Sequence, residues 1–300
     1  MSELPPIRLL QEASLEALTY IRDEVEGLFS HYGSEPTVVT VTLKRLFWYL
    51  GSRSQAVSFL ISYEYSWDAE IILRSFYETA AKILFICFAD EGEKSDLVDE
   101  FWNGLGPIND RRTARKAAFA EQAFEKGSVS ASIFTMLQDG RVFDLETEGS
   151  KSERKRLEKK WSFSEIIDTL DRRAVEGKPL KGIETLSHMY GMASHLIHAD
   201  KNAMDLMHDR ATRETEERKV LEASHLARIM SDQVSLSWFC ADALRQHFGG
   251  EFADSARFYE VFDRTREYGE PFSAVFEDSQ RAFYSRWLGD EASNATEDSN

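Results

Sequence analysis

Apolar residues recur along this chain mostly at three- and four-residue steps, the spacing that places them on one face of a helix. Over residues 9–32 they fall at Leu10, Leu15, Leu18, Ile21, Val25, Leu28 and Phe29, and Gly33 follows as a stop. Residues 36–63 open on TVVTVT, which alternates like a strand. LKRLFWYL then continues with helical spacing, so a second helix is predicted. A third covers residues 66–89, with Asp68 and Glu70 in its first turn, where the helix dipole favours carboxylates. Between 90 and 160 the charge is clustered, Gly104, Gly106, Gly127, Gly140 and Gly149 intervene, and the apolar runs shorten. One or two helices plus loops are predicted there. Ser162 and Glu165 have capping-box spacing ahead of IIDTL and start a further helix. Long helices fit 183–209 and 214–248, the second ended by Gly249 and Gly250. Two amphipathic helices, 252–268 and 272–288, precede a polar acidic tail that reads as disordered. The pattern is all-α, a helical bundle without internal repeats. It divides into an N-terminal helix (1–35), one helical domain (36–289) elaborated at 91–160, and the tail (290–300).

Composition narrows the function. A chain of 300 residues, 42% hydrophobic and 29% charged, has room for a substantial core and is folded, not disordered. Its net charge of −16 argues against a surface that seeks nucleic acid or anionic membrane throughout, while leaving room for local basic patches. The N-terminal segment lacks a basic stretch followed by an apolar one, so it does not read as a secretory signal. The most apolar segment, 71–89, is interrupted by Arg74, Glu78 and Lys82 and does not suit lipid. A soluble cytoplasmic protein without membrane contact is expected. Cys87 and Cys240 sit in apolar runs and read as buried free thiols of a reducing compartment.

Three groups of polar residues carry candidate chemistry. Glu70, Arg74, Glu78 and Lys82 are spaced four apart on the third helix, a stripe of alternating sign on an otherwise apolar element. Such a stripe is either a solvated seam of weak pairs or the wall of a polar cleft within the bundle. Four of the seven histidines, His188, His195, His198 and His208, cluster in the 183–209 helix. His188 and His195 nearly overlay, and His198, Asn202 and Asp205 continue on the adjacent strip. That row suits hydrogen bonding beside a core, acid–base chemistry or phosphate binding. No HExxH is present, and neither a metal nor another cofactor is expected. Arg218 and His225 fit a loose R-x4-6-H spacing that chance alone also produces. Third, two basic runs, 111–116 and 151–160, stand against the acidic background. They are either solvated faces paired with local acids or a patch that tracks phosphates.

Ala69, Leu73, Arg74 and Glu78 form an A-x-x-x-L-R-x-x-x-E pattern, and Tyr190, Ser194 and His198 form Y-x-x-x-S-x-x-x-H. Both patterns resemble elements of an uncharacterised bacterial helical family, similar in turn to HEPN-type four-helix bundles found in toxin–antitoxin and antiviral defence settings. The resemblance covers roughly residues 40–250, with 91–160 fitting poorly, and the RNxxxH motif of active HEPN ribonucleases is missing. It implies a cleft in which Arg74 holds an anionic group, Glu78 orients it, and His198 or His195 moves a proton. Tyr190, Ser194 and Asn202 would bind the ligand. The implied partner is RNA or another phosphate-bearing ligand, and the reaction would be metal-independent phosphodiester cleavage. A protein partner is also expected, a homodimer stays open, and a non-catalytic module whose acidic surface binds a basic partner is the alternative.

Overall fold

A computed structural model describes residues 4–33, 36–140, 150–175 and 183–297, and its regular elements are all helical. The chain forms two compact units. The first comprises Met1–Glu35, Lys44–Leu84 and Thr185–Asn300, the second Pro36–Leu43 and Phe85–Glu184.

Three long helices open the chain: α1 (Ile7–Tyr32), α2 (Val38–Ser62) and α3 (Ser66–Cys87). They match the predicted spans to within two residues. The TVVTVT segment is helical because the apolar face of LKRLFWYL propagates through it, and burial of Val39, Leu43, Phe47 and Leu50 outweighs its β-branched propensity. In the first unit, α11 (Thr215–Phe248) is the central strut. It packs on α1 and on α12 (Ser255–Glu297). It is tied to α2 by Gln233 Nε2, which donates to the Ser54 carbonyl at 2.9 Å. The N-terminal helix, expected to stand apart, therefore belongs to this unit's core, with Leu10, Ala17, Ile21 and Val25 buried.

The predicted break after α11 is present. Gly249 is left-handed at φ 61°, a conformation glycine adopts without Cβ strain. Three other expectations need correction. The helix expected over 183–209 is two, α9 (Thr185–His198) and α10 (Lys201–Thr212). Ala199 turns left-handed at φ 45°, and the Asp200 carboxylate caps α10 by accepting from the backbone N–H of Asn202 and Ala203. The two helices expected at 252–268 and 272–288 are instead the single α12, with Pro271 inside it. Pro271 removes the helical hydrogen bond to the Glu267 carbonyl, and packing holds the helix together there, with Phe272 fully buried and Ser224 Oγ donating to the Phe272 carbonyl at 3.3 Å. Finally, α12 runs to Glu297, through most of the segment read as a disordered tail.

The second unit is more helical than its glycines suggest. It holds α4 (Glu91–Asp99), a π-helical segment (Glu100–Gly104), α5 (Leu105–Glu121), α6 (Val129–Met136), α7 (Lys151–Lys160) and α8 (Phe163–Val175). Gly104 is there for space: a Cβ on it would lie 2.6 Å from Leu157 Cδ2, so α7 packs directly on its backbone. Trp161 anchors the unit. Its ring meets Phe85 edge-on at 5.5 Å and Phe101 at 5.3 Å, while its Nε1 donates to Glu100 at 3.2 Å. The predicted cap is present too, with Ser162 Oγ accepting from the Glu165 N–H at 3.4 Å. Both cysteines are buried, and among the described residues neither forms a disulfide. Among the described residues, no helix is long and apolar enough to cross a membrane.

Candidate functional site

The polar stripe of α3 is paired with side chains of other helices. Trp67, Glu70, Arg74, Tyr77 and Glu78 fall within one narrow arc of the helix. Its two ends meet different partners within the first unit. Toward the C-terminus, Arg74 Nη2 donates to the Tyr190 hydroxyl of α9 at 2.5 Å, and that hydroxyl donates to Glu78 Oε1 at 2.8 Å. The Arg74 guanidinium also lies over the Tyr190 ring, 4.7 Å from its centroid, and stands 3.4 Å from Glu78. Burial and the Glu78 hydrogen bond hold the Tyr190 phenol above its ordinary pKa, so it remains a donor. Ser194 Oγ returns to the Tyr190 carbonyl at 2.9 Å. Arg74, Glu78 and Tyr190 are thus brought together, while Ser194 bonds within its own helix.

The histidines of that helix are not. His198 is exposed in the last turn of α9, two turns beyond Tyr190, about 12 Å along the axis. It has neither a hydrogen bond nor an ion pair with Arg74 or Glu78 among the described residues. His195 Nδ1 pairs with the Asp200 carboxylate at 2.5 Å, which fastens the α9–α10 corner. Asn202 is exposed beyond the break, its N–H serving the Asp200 cap. Left-handed Ala199 parts Asn202 from the two histidines, which stay on α9 with Tyr190.

Toward the N-terminus of α3 lies a buried network that sequence reasoning missed. His225, Arg228 and Asp232 share one face of α11 at i, i+3, i+7 spacing. Glu70, 2% exposed, receives Arg228 Nη2 and, at 3.0 Å, His225 Nε2. Arg228 Nη1 reaches Asp232 at 2.8 Å and the Tyr77 hydroxyl at 3.2 Å, and that hydroxyl donates to Asp232 at 2.5 Å. Burial pushes Glu70 up, but the His225 hydrogen bond and the Arg228 charge outweigh it and hold the carboxyl below the ordinary range. Burial also holds His225 low, helped by the Arg228 and Arg210 charges against the pull of Glu70. Burial raises Asp232.

Arg210 of α10 completes the arrangement. Its Nη1 donates to His225 Nδ1 at 3.1 Å, which makes Nδ1 the acceptor and leaves Nε2–H for Glu70. The guanidinium lies 4.7 Å from the Trp67 centroid, and that ring meets His225 at 4.9 Å. No carboxylate stands within ion-pair distance of Arg210 among the described residues, and burial lowers its pKa. Arg218, the nominal partner of His225, turns instead to Glu222 at 3.8 Å. Among the described residues, no group of three His, Cys, Asp or Glu side chains is placed to hold a metal ion.

The pKa directions fix an acid response. His225 is depressed in the folded chain, so below about pH 6.5 the unfolded chain takes a proton that the folded site refuses. Its contribution is present above that value and is lost as pH falls toward the folded pKa. Glu70 repeats the behaviour below about pH 4.3, where raised Asp232 works in the opposite sense. Urea unfolding is expected to show falling stability from about pH 6.5 to 5, with His225→Gln flattening that limb. An unchanged slope in the variant would contradict a neutral buried His225.

Nothing among the curated proteins or the solved structures matches the chain. Residues 42–216, more than half of its length, match a family of unknown function (DUF5677). That segment contains the α3 stripe, Tyr190 and Arg210, while His225, Arg228 and Asp232 lie beyond it. By this match, the chain belongs to the DUF5677 family.

Proposed function

We propose that this chain is a HEPN-like helical protein of the bacterial cytoplasm that acts in defence or stress, binding RNA through the α3 cleft and cleaving it without metal. The setting rests on the resemblance of residues 69–78 and 190–198 alone. The chemistry is carried by one observation: Arg210 is a partly buried cation, stacked on Trp67 and bonded to a neutral histidine, with Glu222 and Asp209 acting on its charge from beyond ion-pair distance. Such a cation attracts a phosphate, and the indole beneath it offers a base a stacking surface. When Arg210 turns to the phosphate, Nδ1 of His225 is released to accept the proton of an attacking 2′-hydroxyl. Arg74, whose Nε is buried without a partner, supplies a second cation on the same stripe.

The test is cleavage of a labelled single-stranded RNA in the presence of a chelator. His225→Gln and Arg210→Ala are expected to lower the rate at least about 100-fold. His198→Ala and His195→Ala are expected to leave it within about twofold. Cleavage undiminished in folded His225→Gln would overturn the assignment. A second reading, a non-catalytic module whose acidic surface binds a basic partner, is favoured by the closed pairing of Glu70, Arg228, Asp232 and Tyr77. It predicts no cleavage by the native chain.

A further inference from the structure

The two basic runs, forty residues apart in sequence, are neighbours in the second unit. Helices α5 and α7 pack on one another, and Arg112 pairs with Glu158 across them. Around that pair, the spacing aligns charge on both helices. On α5, Arg112, Arg115, Lys116 and Phe119 follow at i, i+3, i+4, i+7, and on α7 Lys151, Arg154, Lys155 and Glu158 do the same. Together the two helices carry ten Lys and Arg against four Asp and Glu, so this face is cationic on a chain of net charge −16. Arg115, Lys116, Lys151 and Lys155 are exposed and have no ion-pair partner among the described residues. The ordinary explanation, a face neutralised by its own acids, holds for Arg112 and not for these four. Phe119 ends the α5 stripe at 78% exposure, an aromatic ring held beside cations.

We infer that the α5–α7 face is a docking surface for the phosphodiester backbone of single-stranded nucleic acid. The cations replace condensed counterions along the strand, and Phe119 stacks a base. This surface is built from residues other than those of the α3 cleft, and its binding does not require cleavage.

Fluorescence anisotropy of the full chain with labelled single-stranded RNA, and with DNA of the same sequence, across a salt series tests it. The combined variant Arg115→Gln, Lys116→Gln, Lys151→Gln, Lys155→Gln is expected to weaken binding at least about tenfold. It should also lower the slope of log affinity against log salt by roughly 3, about 0.7 per cation. Phe119→Ala should cost about tenfold with the slope unchanged. Cleavage is read in the His225→Gln variant and the salt slope in the combined variant, so the two proposals fail separately. Tighter binding of RNA or of DNA identifies the strand, and either supports the surface. Three results overturn it: no binding of either strand by the native chain, unchanged affinity and slope in the combined variant, or tighter binding to phosphatidylserine vesicles than to both strands. Should the combined variant melt early, Arg115→Gln and Lys155→Gln alone decide, each expected to remove about 0.7 from the slope.

Discussion

Arg228→Ala is expected to destabilise the first unit by about 3 kcal/mol, the lower end of what removing one partner of a buried ion pair costs. The reason is what it leaves behind. Glu70 is 2% exposed, and its Oε1 already has no hydrogen-bond partner. Without Arg228 its carboxylate keeps only His225, and Asp232 keeps only the Tyr77 hydroxyl. The Arg228 side chain retains 27% exposure, so water relieves part of the penalty and the upper end of the range is not reached. Arg228→Lys keeps the charge but cannot fork to Glu70, Asp232 and Tyr77 together, and an intermediate loss follows. Replacing Glu70 and Arg228 together by Met should recover part of the stability, because the buried carboxylate leaves with its partner while Asp232 keeps only the Tyr77 hydroxyl. Urea unfolding of the three variants measures the effect. A loss below about 1 kcal/mol for Arg228→Ala would mean that the network behaves as a surface pair.

The same network shows where sequence reading succeeds and where it stops. The spans of α1, α2, α3 and α11 were legible because apolar residues keep helical spacing over six or more turns and glycines or capping residues end them. The break at Ala199 was not, since its signal is one Asp cap preceded by an alanine in a conformation alanine rarely adopts. That break takes Asn202 out of the row, while His198 is set apart by two turns of α9. Arg74 and Glu78 were recoverable from spacing on α3, and Tyr190 from the resemblance of its Y-x-x-x-S-x-x-x-H element. Glu70 was noticed on the same stripe, yet its partners lie 155 and more residues away, and no local pattern joins them. A usable signal did exist: His225, Arg228 and Asp232 interrupt the apolar face of α11 at helical spacing, as the α3 stripe interrupts its own. Two polar stripes on two otherwise apolar helices are each costly alone and satisfied together.

Phe258→Ala is expected to cost about 3–5 kcal/mol, through a cavity and not a charge. Phe258 is fully buried where α12 meets α11, with its ring 4.0 Å from Phe252 and 5.5 Å from Trp238. Large aromatic rings on both sides cannot collapse into the space that a removed ring leaves. Trp238 lies ten residues beyond Arg228 on α11, about 15 Å along the axis, so the two substitutions share no partner. Their effects should therefore add to within about 0.5 kcal/mol in the double variant. Additivity also requires that the first unit unfold in one cooperative step, with α3, α11 and α12 lost together. Both variants should then shift a single urea transition with unchanged slope. If Phe258→Ala produced a separate early transition while the Arg228-dependent one stayed in place, α12 would be an independently unfolding element. The polar network would then rest on α3 and α11 alone.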